Sequence, residues 1–337
     1  MKAALLYPGH PLPQLAEVPA PTPGPSQLLL HVRAAAIKHL DRSQAQGTHY
    51  ASPAARTGPG RPIGGDAVGT LSDGRRVYAL TERGTGAVAE QALVNARHLV
   101  PVPAALSDAA AAALPNAVIG AGMALRFRAQ LPAGATVLLN GATGFTGRVA
   151  VQLARLYGAG RVVATGRNPA SLQELLALGA DEVISTEQPD ADFVARIRAV
   201  HAATPIDVLL DYLWGHSAEL LLQALRGDGS FTHRVRYVSV GTMLGDVAAL
   251  SGATLRSCDL HLTGSGLGSW SPQEVGQLFT EVLPEAFRWA AEGRLQVGTV
   301  ALPLASVGQL WEVPVPAGQR LVVVVGQALP HAASFSI

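Results

Sequence analysis

The sequence predicts an α/β chain of two domains: a small β-barrel, then a doubly wound sheet of six parallel strands, with the chain returning to the barrel at its end. Three observations carry this. The residues before Ser107 form short β-like runs separated by proline and glycine. From Thr136 onward, apolar strands alternate strictly with helices, and runs such as Val208-Leu209-Leu210 are apolar throughout, as a sheet covered on both faces requires. Beyond Gly268 the alternation stops.

In the first part, strands are expected at 2–7, 27–36, 67–71, 76–80 and 87–94, and the prolines at 11, 13, 19, 21, 23 and 25 forbid a helix among them. Residues 39–47 read as a helical turn or two. Ser107 is an N-cap candidate for an alanine-rich helix over 108–114, which Pro115 should stop, and 118–128 reads as a second helix. The alternating part predicts strands at 136–140, 161–165, 182–184, 207–211, 237–240 and 261–264, with helices such as 147–157 and 171–178 between them. A long helix over 272–292 and strands at 296–300 and 321–325 follow. Those strands cannot extend a parallel sheet without further crossover helices, so they return to the barrel. The expected domains are 1–118 with 270–337, and 119–269.

At 337 residues and 48% hydrophobic, the chain can bury a core large enough for two domains. A formal net charge of +1 offers no global field to nucleic acid or an anionic membrane. Lys2 and Lys38 are the only lysines, so any lysine chemistry has two candidates. The lone Cys258 excludes an intramolecular disulfide and a cysteine-based zinc cluster within the chain, and points to a reducing cytoplasmic compartment. Residues 1–8 are too short an apolar run for a signal peptide, and no apolar run approaches the roughly 18 residues that span a bilayer.

The chemistry concentrates where the first strand of the second domain meets its helix, at Asn140-Gly141-Ala142-Thr143-Gly144-Phe145-Thr146-Gly147. Free N–H groups at a helix start attract phosphate, and glycines let it approach. The glycines follow GxxGxxG and not the commoner GxGxxG, so the strand before and the helix after carry the argument for a dinucleotide. The end of the next strand selects the cofactor. An acid there would bind a ribose 2′-OH, but Gly166 stands in its place and Arg167 follows, which favours the 2′-phosphate of NADP, with Asn168 and Ser171 as further donors. Asp211, Gly241, Thr242, Gly264 and Ser265 fall at the ends of later strands, where parallel sheets bind ligands.

These landmarks, with 27–36, 62–69, Ala113-Leu114-Pro115-Asn116, Asp211-Tyr212-Leu213-Trp214-Gly215 and Thr263-Gly264-Ser265-Gly266, make the whole chain resemble the zinc-free quinone oxidoreductase branch of the medium-chain dehydrogenase/reductases, which includes zeta-crystallin-like proteins. The resemblance implies a GroES-like barrel as the catalytic domain, a Rossmann domain for NADP, and a homodimer paired through the edge strand near 261–264. Zinc-dependent members carry a cysteine, a His-Glu pair and a further cysteine or histidine. The matching positions here are Lys38, Gly65-Asp66 and Asn116, of which only Asp66 is a usual ligand, so no metal is expected. His39, Asp41 and His49 read as solvated loop residues, not as a replacement metal site.

Without a metal, the chemistry implied is hydride transfer to a quinone or an α,β-unsaturated carbonyl. Asp41 and Tyr50 match an acid and an aromatic residue that relatives place near the nicotinamide, while Lys38 stands where an Asn is commoner. Asp41 can equally cap the helical turn, and Lys38 can snorkel to solvent or supply a cation to a developing anion. Asn116 can donate to a substrate oxygen or to backbone. A short-chain dehydrogenase is excluded because neither lysine lies four residues after a tyrosine. A non-catalytic NADPH-binding protein and an enoyl-thioester reductase remain as alternatives.

Overall fold

Pro8 ends the first strand, β1 (Lys2–Leu6), whose last four residues are buried. The computed structural model describes residues 1–10, 12–46, 60–82 and 84–326. The chain divides into two units, Met1–Pro115 with Leu283–Ile337, and Asn116–Val282. In the first unit, β2 (Gln14–Glu17) pairs antiparallel with β1 inside the proline-rich stretch, where the sequence reading places no strand. Next come β3 (Gln27–Ala36), α1 (His39–Gln46), β4 (Arg61–Pro62), β5 (Asp66–Leu71), β6 (Arg76–Thr81) and β7 (Gln91–Pro101).

Strand β7 differs from the expected 87–94. Its first half pairs with β3 through Gln91–Asn95, its second half with β6 through Leu99–Pro101, and a register shift opposite Ala79 and Thr81 absorbs the polar Asn95-Ala96-Arg97-His98 run beyond the expected end at residue 94.

Helix α2 (Asp108–Met123) starts as expected, with the Ser107 hydroxyl accepting the Ala110 N–H at 3.2 Å, but it runs through Pro115 instead of stopping there. An interior proline costs about 3 kcal/mol in an exposed helix. Here Ala111, Ala112, Ala113, Leu114, Ala117, Val118 and Ala121 are all buried around it, and that burial outweighs the lost hydrogen bond. With a π-helical turn at Ala124–Arg128, the continuous helix Asp108–Arg128 is long and apolar enough to cross a membrane, which corrects the expectation drawn from splitting it at the proline. It is a core helix, with 67% of its apolar window buried inside the protein.

The second unit carries β8 (Thr136–Asn140), α3 (Phe145–Leu156), β9 (Arg161–Gly166), α4 (Pro169–Ala177), β10 (Glu182–Ser185), α5 (Asp190–Ala203), β11 (Val208–Asp211), α6 (Gly215–Ala224), β12 (Val235–Ser239), α7 (Gly252–Ser257), β13 (Leu260–Gly264) and α8 (Pro272–Gln277). Its six strands lie in the order β10-β9-β8-β11-β12-β13, every neighbouring pair parallel. That is a doubly wound sheet whose strand order reverses between β8 and β11. Leu138, Val163, Leu209 and Tyr237 build one face of its core.

The helix expected over 272–292 is present as one continuous helix, in which α8 passes through a π-helical turn at Leu278–Val282 into α9 (Leu283–Ala291). Pro284, early in α9, has no N–H to offer the preceding turn, so the regular ladder cannot pass it. Strands β14 (Gly298–Pro303) and β15 (Gln319–Val324) then return to the barrel, as expected. The barrel sheet runs β14-β15-β3-β5-β6-β7, and a further β3–β7 pairing closes it around Leu30, Ala67, Val94 and Val323.

Candidate functional site

The loop between β8 and α3 is shaped for an anion. Gly141 has φ +82°, a conformation open to glycine, and a Cβ there would lie 2.7 Å from Leu213. Gly147 lets the first turn of α3 close onto the loop, since a Cβ there would lie 2.5 Å from the Ala142 Cα. Gly144 is the N-cap of α3, provides no side-chain cap, and faces open space where a Cβ would stand. The 12-residue helix thus starts without a side-chain cap from Gly144, at the carboxyl edge of a parallel sheet. A dinucleotide pyrophosphate fits this helix start. Phe145 is buried as the first helical residue, and Thr143 and Thr146 are half-buried.

Below the loop lies a buried polar network that joins four strand ends. Thr165 donates to Asn140 Oδ1 at 2.6 Å and accepts the Gly141 N–H at 3.2 Å. The Asn140 amide donates to Asp211 Oδ1 at 2.7 Å and to Ser217 at 2.9 Å. Asp211 also accepts the N–H of Leu213 at 2.9 Å, the N–H of Trp214 at 3.2 Å and the Tyr237 hydroxyl at 2.7 Å. Burial, and then the adjacent Asp211 carboxylate, hold the Tyr237 phenol protonated far above its ordinary range.

Asn140 and Asp211 are both fully buried. Their polar atoms are committed to protein partners, which gives these two residues a positioning place beneath the loop. The anchored Trp214 has φ +55°, a strained conformation for a bulky residue, and packs edge-on against Tyr237 with centroids 6.2 Å apart. Thr165, Ser217 and Tyr237 escaped the sequence reading, because each looks like an ordinary strand or helix residue until the strand order is known.

At the end of β9, Gly166 is buried, while Arg167 is exposed and forms no ion pair among the described residues. Asn168 caps α4 by accepting the Ser171 N–H at 2.9 Å, and Ser171 is buried. Gly241 follows β12 with its N–H on the Asp211 carbonyl, and Thr242 is exposed. Gly264 ends β13 exposed, whereas Ser265 is buried and accepts the Trp270 indole N–H at 3.2 Å.

The barrel unit holds a separate charged cluster. The Lys38 ammonium donates to Asp66 Oδ1 and lies 3.7 Å from Asp41 Oδ2. The Tyr78 hydroxyl donates to Asp66 Oδ2 at 2.8 Å, and Arg320 is close enough to act electrostatically on Lys38, Asp41 and Asp66. Lys38, Asp41 and Asp66 are 5%, 8% and 5% exposed, so the cluster sits in a low-dielectric interior with two cations balancing two carboxylates.

Burial alone would lower the Lys38 pKa, but Asp41 and Asp66 outweigh it and hold the ammonium above its ordinary value. Burial raises the Asp41 carboxyl, against the opposing pull of Lys38. It also raises the Tyr78 phenol well above its ordinary value, with Asp66 adding to the effect. Asp41 caps α1 as well, its carboxylate accepting the Lys38 N–H at 2.8 Å, so the capping role and the charged role coexist in one side chain.

Tyr78 and Arg320 were missed from sequence. Register supplies the signal for Tyr78: Asp66 pairs with Leu80 across the β5–β6 hairpin, which makes Tyr78 its diagonal neighbour on the same face. Asn116 is half-buried in α2 and belongs to the second unit, and Tyr50 lies outside the described residues. Among the described residues, no group of three or more His, Cys, Asp or Glu is arranged to hold a metal ion.

Comparison with known proteins follows the same outline. Residues 146–285 match the family model described as zinc-binding dehydrogenase. Over 93% of its length the chain is 27% identical to a probable NADPH-dependent quinone reductase of Emericella nidulans, of which it covers 97%. Over 83% of its length it is 31% identical to a spectinabilin polyketide synthase system protein of Streptomyces orinoci, of which it spans 13%. The quinone oxidoreductase of Thermus thermophilus, solved also in complex with NADPH, shares 28% identity at a TM-score of 0.75 over 96% of this chain and 100% of that one.

A GroES-like barrel interrupted in sequence by a Rossmann domain defines a two-domain oxidoreductase fold. Within it, the chain resembles the quinone oxidoreductase type of medium-chain dehydrogenase/reductase.

Proposed function

We propose that this protein is an NADPH-dependent oxidoreductase that works without a catalytic zinc and reduces a quinone or an α,β-unsaturated carbonyl. The observation that carries the cofactor reading is the exposed Arg167, directly after a glycine in the acid position, on a sheet whose glycine loop leaves a helix N-terminus uncapped. When bound, NADPH supplies the hydride. Gly141, Thr143, Gly144 and Gly147 let the pyrophosphate reach the helix N–H groups, with Phe145 and Thr146 contributing the first of them. Arg167 pairs with the 2′-phosphate, aided by Asn168 and Ser171. Gly241, Thr242, Gly264 and Ser265 serve the far end of the cofactor, as expected for residues at successive strand ends.

Lys38 is the fixed positive charge for the oxygen that gains electron density in the acceptor, and Asp41 keeps it in place. Asn116, in the second unit, and Tyr50 are read as the remaining catalytic residues. The zinc-free reading is supported by the donor set itself: the Lys38 ammonium already provides the positive charge between Asp41 and Asp66 that a metal ion would bring. The protein is read as a cytoplasmic homodimer, for which the exposed edge strand β13 offers a free pairing edge.

Fluorescence titration tests the cofactor. NADPH should bind far tighter than NADH, and Arg167→Ala should weaken NADPH alone by about 10–100-fold, the worth of a charge-assisted hydrogen bond. Equal affinities would overturn the reading, and stoichiometric zinc by elemental analysis would overturn the metal-free mechanism. A panel of quinones, enones and enals assayed with NADPH identifies the acceptor. The polyketide synthase relative favours a second reading, an enoyl-thioester substrate, so an enoyl-pantetheine thioester belongs in the panel.

A further inference from the structure

The two departures of this nucleotide site from the commoner pattern touch each other. Counted from Gly141, the GxGxxG spacing would put glycine at 143, where this chain has Thr143, and the acid position at the end of β9 is Gly166. A Cβ at Gly166 would overlap the Thr143 Cγ2 methyl, and would lie 3.1 Å from Thr143 Oγ1 and 3.2 Å from Leu172 Cδ2. Gly166 is not among the positive-φ glycines, so the obstacle to a side chain there is the space that Thr143 takes and not the backbone conformation.

Hydrogen bonds tie the loop just before Thr143 and the strand end at Gly166. The Ala142 N–H donates to the Thr165 carbonyl at 2.8 Å, the Gly141 N–H to the Thr165 hydroxyl at 3.2 Å, and the Thr186 N–H to the Gly166 carbonyl at 2.8 Å. Thr143 itself is half-buried.

We infer that Thr143 is a specificity-determining residue: its methyl group fills the space an acidic side chain at 166 would need, and so bars the ribose 2′-OH contact and leaves Arg167 to select a 2′-phosphate. This rests on the NADP reading above. An Asp or Glu at 166 would have to displace Thr143 before it could reach a ribose, so cofactor preference in this chain is set by a contacting pair and cannot be reversed at one position.

The test needs no turnover. The apo melting temperature and the Kd for 2′,5′-ADP and 5′-ADP, by calorimetry, are compared in wild type, Gly166→Ala, Gly166→Asp, Thr143→Ala and the two double variants. Gly166→Ala should lower the melting temperature by roughly 2–12 °C, the scale of an overpacked site, and Thr143→Ala should restore most of that loss. Gly166→Asp should bind both probes poorly, while Thr143→Ala with Gly166→Asp should bind 5′-ADP about tenfold tighter than Gly166→Asp alone.

Additive melting temperatures in the Gly166→Ala cycle, or a Gly166→Asp variant that binds 5′-ADP as well as the double variant, would overturn the coupling even where wild type prefers 2′,5′-ADP. A wild type that binds the two probes equally would instead overturn the NADP reading, and Thr143's selective role with it.

Discussion

Replacing Lys38 by methionine should be among the most destabilising single changes in the barrel, and the size of the effect follows from the charge balance. Lys38 and Arg320 offset Asp41 and Asp66 in the interior, and the Lys38, Asp41 and Asp66 side chains are only 5%, 6% and 7% exposed. Methionine is close in length and fills the space, so the loss is electrostatic: one buried carboxylate is left without its counter-charge. Breaking a buried pair from one side costs about 3–5 kcal/mol. At about 2–4 °C per kcal/mol for a domain of this size, the melting temperature should fall by roughly 6–20 °C.

The pH dependence carries a sign. Lys38 has a folded pKa above its unfolded one, so in wild type its contribution is complete below the unfolded value and is lost only as pH rises through the folded one. Asp41 also has a raised folded pKa, and Lys38 is what restrains it. Without Lys38 that carboxyl rises further, so the variant should regain stability as pH falls through the folded pKa of Asp41 towards its unfolded value. Adding Asp66→Asn restores the balance and should return most of the loss while keeping an oxygen for the Tyr78 hydroxyl. Urea unfolding of the four proteins across pH measures the cycle. A Lys38→Met cost below about 1 kcal/mol, or one unchanged in the Asp66→Asn background, would refute a buried, balanced cluster.

Three further outcomes follow from the second unit. Asp211→Ala strips the partners of Leu213 N, Trp214 N, Asn140 and Tyr237 at once and should cost at least about 3 kcal/mol in urea unfolding, whereas Asp211→Asn, which retains an acceptor, should cost less. Gly141→Ala meets both a positive φ and the Leu213 side chain, so it should lower stability by about 1–3 kcal/mol and weaken NADPH binding by fluorescence; unchanged values would contradict the geometry of the loop. His201 accepts the Ile206 N–H on Nδ1, and burial, then the neighbouring His233, lower its pKa below the ordinary 6.5. Its contribution is therefore complete above the unfolded pKa and lost as pH falls through the folded one, so His201→Gln should flatten the acid side of the stability curve, and identical curves would sink this assignment.

The elements legible in the sequence are those in which local pattern and tertiary environment agree. Strands β8, β9 and β11 are apolar because both faces are covered, and their buried residues report that directly. Pro115 and the polar run in β7 misled because their local signals are real but small beside what the fold offers: burial of the helix on both sides of Pro115, and a bulge that lets one strand serve two partners. A stop signal worth about 3 kcal/mol loses to several buried alanines and leucines.

The candidate site divides along the same line. The glycine loop is contiguous, so its spacing can be read. Lys38, Asp66, Tyr78 and Arg320 are far apart in sequence, and only the hairpin register and the return of β15 against β3 bring them together. Asp211 shows what a positional rule leaves open. Its place at the carboxyl end of a parallel strand marks it as near a ligand, but the rule does not say which way the side chain turns. An aspartate at a strand end has the N–H two residues ahead within reach of its carboxylate, and Asp211 accepts that of Leu213. Local competition for its oxygens, together with Asn140 and Tyr237 from neighbouring strands, commits the carboxylate to holding the loop, and that outcome depends on the strand order and not on the spacing along the chain.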